Sequence, residues 1–234
     1  MKFNLFRAVY KKEIAKIVYR ITRKQKSEYI RASKKKLKAL AELISIEREG
    51  LPKHLVCKKL PEDLGRGIFL HPLAKPILKG EIIAPYSGEI SLLPQTLPDD
   101  SAYAFAPLSD ILITKEEHRS LGSSLPYHPK RLYWLNIDAE KKGNFTRFIN
   151  HSEKPNVIAE LFSIPPNSFG LEPVPIEVLY LAKKRIEPGE QLLINYEGED
   201  KSYWSAIGIK PLRVTPRTFR IDSSLKVISH RRSR

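Results

Sequence analysis

Apolar residues recur at three- and four-residue steps near the start of the chain, which is the spacing of one helix face. The first stripe contains Leu5, Phe6, Val9, Tyr10, Ile14, Ile17, Val18 and Ile21. A second stripe contains Leu37, Leu40, Ala41 and Ile44, and it stops before Gly50 and Pro52. The pattern predicts a helical arm over residues 1–49. Its stripes must be buried against the rest of the chain or against a second copy, which would form a homodimer.

Short β-favouring runs separated by Gly, Pro or charged residues fill the chain after Pro52. They are HLVCKK, GIFL, GEIIAPYSGEI, VIAELFSI, IEVLYLAKK and EQLLINY. A helical insertion is predicted at about 100–131, where Thr114 would cap a helix, Glu117 would complete a capping box and Gly122 would end it. The predicted fold class is mainly β with helical additions. The β-rich domain covers 50–202, and a cap segment with a basic tail covers 203–234.

Charge is distributed unevenly along the 234 residues, which carry a formal net charge of +15. Residues 1–49 hold 15 Lys and Arg against 5 Asp and Glu, and residues 210–234 hold 8 against 1. The middle part, 50–209, holds 18 against 20. A weakly acidic body with two basic ends suits a polyanion, nucleic acid first and an anionic membrane surface second. The alternative is that these charges only keep the protein soluble.

Compartment follows from the cysteine count and from the hydropathy pattern. No apolar run is long enough to span a bilayer, and Lys11, Lys12 and Glu13 interrupt the basic N-terminus before a signal-peptide core could form. Cys57 is the only cysteine, so neither an intrachain disulfide nor a multi-cysteine zinc site is expected. The expectation is an intracellular protein of a bacterial cytoplasm or nucleoid. Export to a host nucleus without a cleaved signal is the alternative.

Four short motifs follow one another in the β-rich part. They are GRGIF at 65–69, YSGE at 86–89, GNFTRFINHSEKPN at 143–156 and GEQLLINY at 189–196. Each is weak alone, because Gly-x-Gly turns and strands ending in Tyr are common. In this order they resemble the SET-domain protein lysine methyltransferases over roughly 52–200. The basic ends and the lack of a cysteine-rich tail are most similar to the bacterial members found in chlamydiae.

The resemblance implies a fold, a cofactor and residues that bind it. The fold would be a SET domain with a C-terminal pseudoknot, in which the third motif threads through another loop. S-adenosylmethionine would be the cofactor. Its expected binding residues are Arg66, Gly67, Arg147, Asn150 and His151, of which His151 would act through its backbone and carry a buried, satisfied ring.

The same resemblance implies the catalytic residues and the substrate channel. Tyr196 would face the path of methyl transfer, and Tyr86 would line the pocket from the other side. Ile194 stands where relatives often carry an aromatic residue that limits the number of methyl groups. No metal is expected, because Glu153 replaces a zinc-binding Cys of many relatives. Tyr203 and Trp204 are therefore the candidates to close the channel, and the alternative is that they only pack in the core.

The function implied is methylation of lysine in basic, DNA-associated proteins, either histones or bacterial histone-like proteins, with DNA held by the basic ends. Two alternatives are open. One is a SET-like adaptor that binds chromatin or nucleic acid without activity. The other is methylation of the protein's own Lys34, Lys35 and Lys36.

Overall fold

The computed structural model describes residues 8–24, 30–31, 33–46, 50–61, 65–96, 101 and 103–196. The predictions for Tyr203, Trp204 and the tail lie outside these ranges. The described helices are α1 (Lys12–Lys24), α2 (Lys34–Ile46), α3 (Lys115–Ser120) and one 3-10 turn (Phe145–Phe148). The described strands are β1 (Ile30–Arg31), β2 (Leu55–Lys59), β3 (Arg66–Leu70), β4 (Ile82–Pro85), β5 (Glu89–Pro94), β6 (Ala104–Leu112), β7 (Leu132–Asp138), β8 (Asn150–His151), β9 (Val157–Ile164), β10 (Val174–Ala182) and β11 (Leu193–Ile194).

The strands form small sheets, and most of their pairings are antiparallel. One sheet has the order β1-β9-β10-β4 and another has the order β5-β7-β6, while β2 pairs with β3 and β8 pairs with β11. Every residue of β10 is buried, including Glu177. The strand is otherwise apolar and lies between β9 and β4 in the sheet, with helix α1 packed against it. The prediction of a mainly β fold of short strands with helical additions is confirmed.

The helical arm packs on the chain's own body. Ile14, Ile17 and Val18 of α1 are buried in the main core, and Leu37 and Leu40 of α2 are buried in a second cluster with β9 and β10. These residues of the two stripes, which suggested a homodimer, are therefore covered by the chain's own body. None of the helices in the described ranges has the length and hydropathy needed to cross a bilayer.

Helix α1 begins later than the first stripe predicts. Val9, assigned to the apolar stripe, is 58% exposed and forms a β-bridge with Glu89, while the Tyr10 hydroxyl donates to the carbonyl of Ile176 at 3.0 Å. Residues 8–10 are therefore extended because they hydrogen-bond to the body. The helical prediction for Val9 and Tyr10 is wrong, and Leu5 and Phe6 lie outside the described residues.

The predicted insertion at 100–131 is only partly helical. Helix α3 has the predicted capping box, since the Thr114 hydroxyl accepts from Glu117 N and the Glu117 carboxylate accepts from Thr114 N, and Gly122 follows with φ +64°. Ala104–Leu112, however, forms strand β6 against β7. The helical prediction is wrong there because two register shifts, one of them near Asp110 with φ +56°, hide the alternation that marks a strand.

Candidate functional site

The third and fourth motifs lie side by side. Strand β8 pairs in parallel with β11, so that Asn150 lies opposite Leu193 and His151 lies opposite Ile194. The next amide, Ser152 N, donates to the carbonyl of Ile194 at 2.8 Å. More than forty residues separate these segments along the chain, and the pairing joins them at one place.

Asn156 holds this junction together with its buried side chain. Its Nδ2 donates to the carbonyl of Gln191 at 2.8 Å, and its Oδ1 accepts from the amide of Leu193 at 2.8 Å. Its own amide donates to the carbonyl of Leu193 at 3.0 Å. One amide side chain thus saturates a stretch of fourth-motif backbone that would otherwise be buried without partners. The sequence predicted no separate role for Asn156, the last residue of the third motif.

The ring of His151 serves the fourth motif. Its Nδ1 accepts a hydrogen bond of 3.1 Å from the amide of Tyr196, and the two rings lie 5.5 Å apart in a tilted arrangement. An accepting Nδ1 implies the neutral imidazole with its proton on Nε2. The expectation of a buried, satisfied ring fits this geometry. His151 positions the backbone of Tyr196.

The first motif contacts both of the others. Asn150 Nδ2 donates to the carbonyl of Arg66 at 3.1 Å. At Gly67, an added Cβ would lie 2.8 Å from Nε2 of Gln191. A side chain at 67 would therefore have to displace the amide end of Gln191, so Gly67 packs closely against the fourth motif. Arg66 and Gly67 lie beside Asn150 and Gln191, as their predicted membership of one site requires.

The second motif is tied to the third by Asn144 and by glycine contacts. Asn144 Nδ2 donates to the carbonyl of Pro85 at 2.7 Å, immediately before Tyr86. A Cβ at Gly88 would lie 2.4 Å from the carbonyl oxygen of Asp138. The backbone of β4 and its following turn can approach β7 this closely only because the glycine has no side chain. Tyr86 is thereby fixed relative to the third motif.

A cavity of about 50 Å³ lies where the second, third and fourth motifs meet. Its lining includes Tyr86, Phe105, Tyr180, Ile194 and Tyr196. Tyr86 stacks on Tyr180 with ring centroids 5.5 Å apart and contacts Phe105 at 5.7 Å. The structure therefore brings Tyr86, Ile194 and Tyr196 together. It adds Phe105 and Tyr180, which the sequence analysis did not single out.

The hydroxyls of Tyr86, Tyr180 and Tyr196, which all line this cavity, differ in what they bind. Tyr86 donates to the carbonyl of Tyr103 at 2.6 Å, and Tyr196 donates to the carbonyl of Ile149 at 2.9 Å. The hydroxyl of Tyr180 has no hydrogen-bond partner among the described residues. Burial raises the pKa of Tyr180 well above its usual value, and the nearby Tyr86 and Tyr196 add to the rise. Tyr180 is thus held neutral, with its hydroxyl proton uncommitted.

Arg147 lines the same cavity and braces the chain before it. Its Nη1 donates to the carbonyls of Ala139 and Glu140 at 2.7 and 2.9 Å, and its guanidinium lies 4.9 Å from the ring centre of Phe148. Its Nε is buried and has no hydrogen-bond partner among the described residues. This N–H of Arg147 is therefore an available donor beside the cavity.

Within the described ranges, no group of three or more His, Cys, Asp or Glu side chains is placed to hold a metal ion. Cys57 is a half-buried free thiol.

Comparison with protein families and curated proteins gives several matches. A family model described as the SET domain matches residues 65–197, more than half of the chain. Histone-lysine N-methyltransferase ATXR7 of Arabidopsis thaliana is 31% identical over 90 residues, 38% of this chain and 6% of that protein. Histone-lysine N-methyltransferase MEDEA of the same plant is 35% identical over 72 residues, 30% of this chain and 9% of that protein. Histone-lysine N-methyltransferase trithorax of Drosophila virilis is 29% identical over 151 residues, 64% of this chain and 3% of that protein.

The chain spans less than a tenth of the length of these relatives. Among solved structures, two crystal structures of KRYPTONITE are similar, each at 22% identity. The complex with mCHH DNA, H3(1-15) peptide and SAH gives a TM-score of 0.43 over 68% of this chain and 26% of that one. The complex with mCHG DNA and SAH gives 0.46 over 73% and 28%. Likeness at this identity concerns the fold alone.

Proposed function

Since this chain belongs to the SET-domain family, we propose that it transfers methyl groups from S-adenosylmethionine to the ε-amine of lysine in basic, histone-type proteins. The membership confirms the resemblance predicted from the four motifs. The names of the curated relatives support the reaction type and the substrate class. Those relatives come from a plant and an insect, so the likeness to chlamydial members stays a prediction.

The observation that carries the proposal is the junction of β8 and β11 beside a tyrosine-lined cavity. Asn150 and His151 form β8, and β11 is followed by Tyr196. The hydroxyl of Tyr196 donates a hydrogen bond to the carbonyl of Ile149, immediately before β8. A binding residue and a phenol from distant parts of the chain are thereby held within one rigid unit. Methyl transfer needs this, because holding reactants near their attack geometry can supply about 7–11 kcal/mol in favourable model reactions.

The residues present fit the proposed methyl donor. Nδ2 of Asn150 is bonded to Arg66, which leaves Oδ1 without a partner among the described residues and able to accept from an adenine amine. The orphaned Nε of Arg147 can meet a carboxylate, which an amino-acid end would provide. Phenol oxygens and aromatic rings around the cavity suit a sulfonium, which attracts CH···O and π contacts. When bound, S-adenosylmethionine supplies the activated methyl group.

The chemistry needs a neutral lysine more than it needs a base. Transfer forms a nitrogen–carbon bond and breaks a carbon–sulfur bond, so the amine must lose a proton first. Free Lys has a pKa of about 10.4, and desolvation beside a second positive charge lowers it. The proton can leave through water. Tyr196 is then a group that positions the amine and stabilises charge. This fits its phenol, which already donates its hydrogen bond to the carbonyl of Ile149.

A methyl-transfer assay tests the proposal. The full chain is incubated with isotopically labelled S-adenosylmethionine and a panel of histones and histone-like proteins, and labelled lysines are mapped by mass spectrometry. We expect label on lysines of at least one basic protein. The same spectra show whether Lys34, Lys35 and Lys36 of the chain itself carry labelled methyl groups. Donor binding without transfer to any panel member or to the chain would contradict the proposal.

The Tyr196→Phe variant separates enzyme from inactive adaptor. An enzyme loses most of its turnover while calorimetry still detects donor binding, because the donor contacts proposed for Asn150 and Arg147 are kept. Tyr103→Phe, which removes a hydroxyl at the cavity edge, is the matched control and should keep turnover. Equal transfer by wild type and Tyr196→Phe would remove Tyr196 from the reaction.

A further inference from the structure

The solvent face of α1 carries a narrow basic stripe. Lys12, Lys16 and Arg23 are exposed, and at 3.6 residues per turn their positions fall within about 40° of one another around the helix axis. Tyr19, half-buried, lies in the same sector. Between Lys12 and Arg23 the stripe runs for about 16 Å along the axis.

The opposite face of the same helix is fixed in the core. Ile14, Ile17 and Val18 are at most 4% exposed. Between the two faces of α1, Arg20 donates two hydrogen bonds of 2.7 and 2.8 Å to the carboxylate of Glu117 on α3. The stripe is therefore presented on a rigid support, unlike charges on a freely moving tail.

The charges of the stripe are not neutralised within the described part of the chain. Lys12, Lys16 and Arg23 form no ion pair there. Glu13 is the only acidic residue of α1, is half-buried, and lies about 100° around the axis from Lys12. Three like charges held on one face without counter-charge raise the local potential and favour an anionic partner.

We infer that the Lys12–Lys16–Arg23 stripe of α1 is a docking surface for the phosphate backbone of duplex DNA. Duplex DNA carries one negative charge per about 1.7 Å of its axis, so a rigid stripe of this length meets several phosphates. An anionic membrane is disfavoured, since a helix that lies in a bilayer surface inserts its apolar face and that face of α1 is in the core.

The choice of DNA rests on the proposed function, because proteins of the histone class lie on duplex DNA. A rigid DNA contact on α1 would hold the enzyme beside its substrate. It would also assign the DNA contact predicted for the basic N-terminal part to Lys12, Lys16 and Arg23. The contact itself can be measured without methyl donor, so its failure would leave the proposed methyl transfer standing.

The test uses the full chain and a fluorescently labelled duplex DNA of random sequence, with binding followed by anisotropy between about 50 and 200 mM salt. The variant carries Lys12→Gln, Lys16→Gln and Arg23→Gln, and glutamine keeps helix propensity close to that of lysine and arginine. A matched control carries Lys53→Gln, Lys75→Gln and Lys79→Gln, three exposed lysines in the loops on either side of β2 and β3. Circular dichroism checks that both variants are folded.

We expect the α1 variant to bind roughly tenfold or more weakly at the lower salt, with the slope of log K against log salt reduced by about one per lost contact. A variant with Lys12→Arg and Lys16→Arg, in which Arg23 is unchanged, keeps all three charges. It should bind DNA with the affinity and the salt slope of wild type. Equal weakening of the α1 variant and the control would reduce the effect to general charge and overturn the inference. So would unchanged DNA binding with lost binding to vesicles containing phosphatidylserine, which would make a membrane the partner.

Discussion

The hydroxyl of Tyr196 donates a 2.9 Å hydrogen bond to the carbonyl oxygen of Ile149, the residue immediately before Asn150. At the other end of the same tyrosine, the amide N–H donates to Nδ1 of His151. Ile149 and His151, the residues on either side of Asn150, therefore fix the phenol and the backbone of Tyr196, respectively. A residue proposed to bind the donor and a residue proposed to face methyl transfer cannot move independently.

The first prediction concerns the stability of this arrangement. Tyr196→Phe removes the donor to Ile149 and leaves a part-buried carbonyl without that partner. Urea unfolding should show a loss of about 1 kcal/mol in the free energy of unfolding. Tyr103→Phe should change it little, because the Tyr103 hydroxyl has no hydrogen bond among the described residues. Equal losses in the two variants would show that the bond to Ile149 contributes nothing.

The second prediction compares two buried asparagines. Asn156 is 6% exposed and hydrogen-bonds to Gln191 and Leu193. Asn136 is 3% exposed, and its Oδ1 has no hydrogen-bond partner among the described residues. Asn156→Ala and Asn136→Ala remove the same volume, so the cavity terms are similar. Because two buried backbone groups lose their partners, Asn156→Ala should cost about 2 kcal/mol more. A smaller cost for Asn156→Ala than for Asn136→Ala in urea unfolding would contradict this role.

The sequence was sufficient to predict which motifs meet but not to assign the contacts between them. The order of four local motifs resembles the SET-domain family, and that resemblance brought Asn150, His151 and Tyr196 into one prediction. The contact between Gly67 and Gln191 depends on tertiary packing that joins the first and fourth motifs. Nothing in a single sequence states which glycine is required by a neighbouring side chain and which by a ligand.

Tyr180 and β6 were missed for two different physical reasons. Tyr180 lies within a continuous apolar run, and a strand buried on both faces has no polar alternation to show which residue faces a cavity. In β6 the alternation exists but is broken by register shifts. The capping box of α3 was found because its partners, Thr114 and Glu117, are three residues apart and need no tertiary context.

The third prediction concerns Glu117 and acid. Partial burial acts to raise the pKa of Glu117, but the hydrogen bond from Arg20, hydrogen bonds from Thr114 and the Arg20 charge lower it overall. A carboxylate with a depressed folded-state pKa stabilises the fold above its ordinary value of 4.5 and loses that contribution as pH falls through the folded value. Glu117→Gln should therefore cost about 1 kcal/mol at neutral pH and less at about pH 3.

Glu116→Gln is the matched control for this change. Glu116 is the neighbouring carboxylate of the same first helical turn, is exposed, and forms no ion pair with a described residue. The free energies of unfolding of the two variants should differ at neutral pH and become similar in acid. A difference between them that grew as the pH fell would contradict the lowered pKa of Glu117.

The fourth prediction concerns the unpartnered hydroxyl of Tyr180 and alkali. Because burial raises the pKa of Tyr180 above its ordinary value of 10.0, the unfolded chain loses this proton at lower pH than the folded one. The stabilising contribution is therefore complete below about pH 10 and falls as the pH rises towards the folded-state pKa.

The Tyr180→Phe variant tests this. It should hardly change the free energy of unfolding at pH 7, since no hydrogen bond to a described residue is lost, and in alkaline titrations it should unfold at a higher pH than wild type. If Tyr180→Phe instead unfolded at the wild-type pH, the Tyr180 hydroxyl would have to ionise as readily in the fold as in the unfolded chain, which is incompatible with its burial between Tyr86 and the cavity.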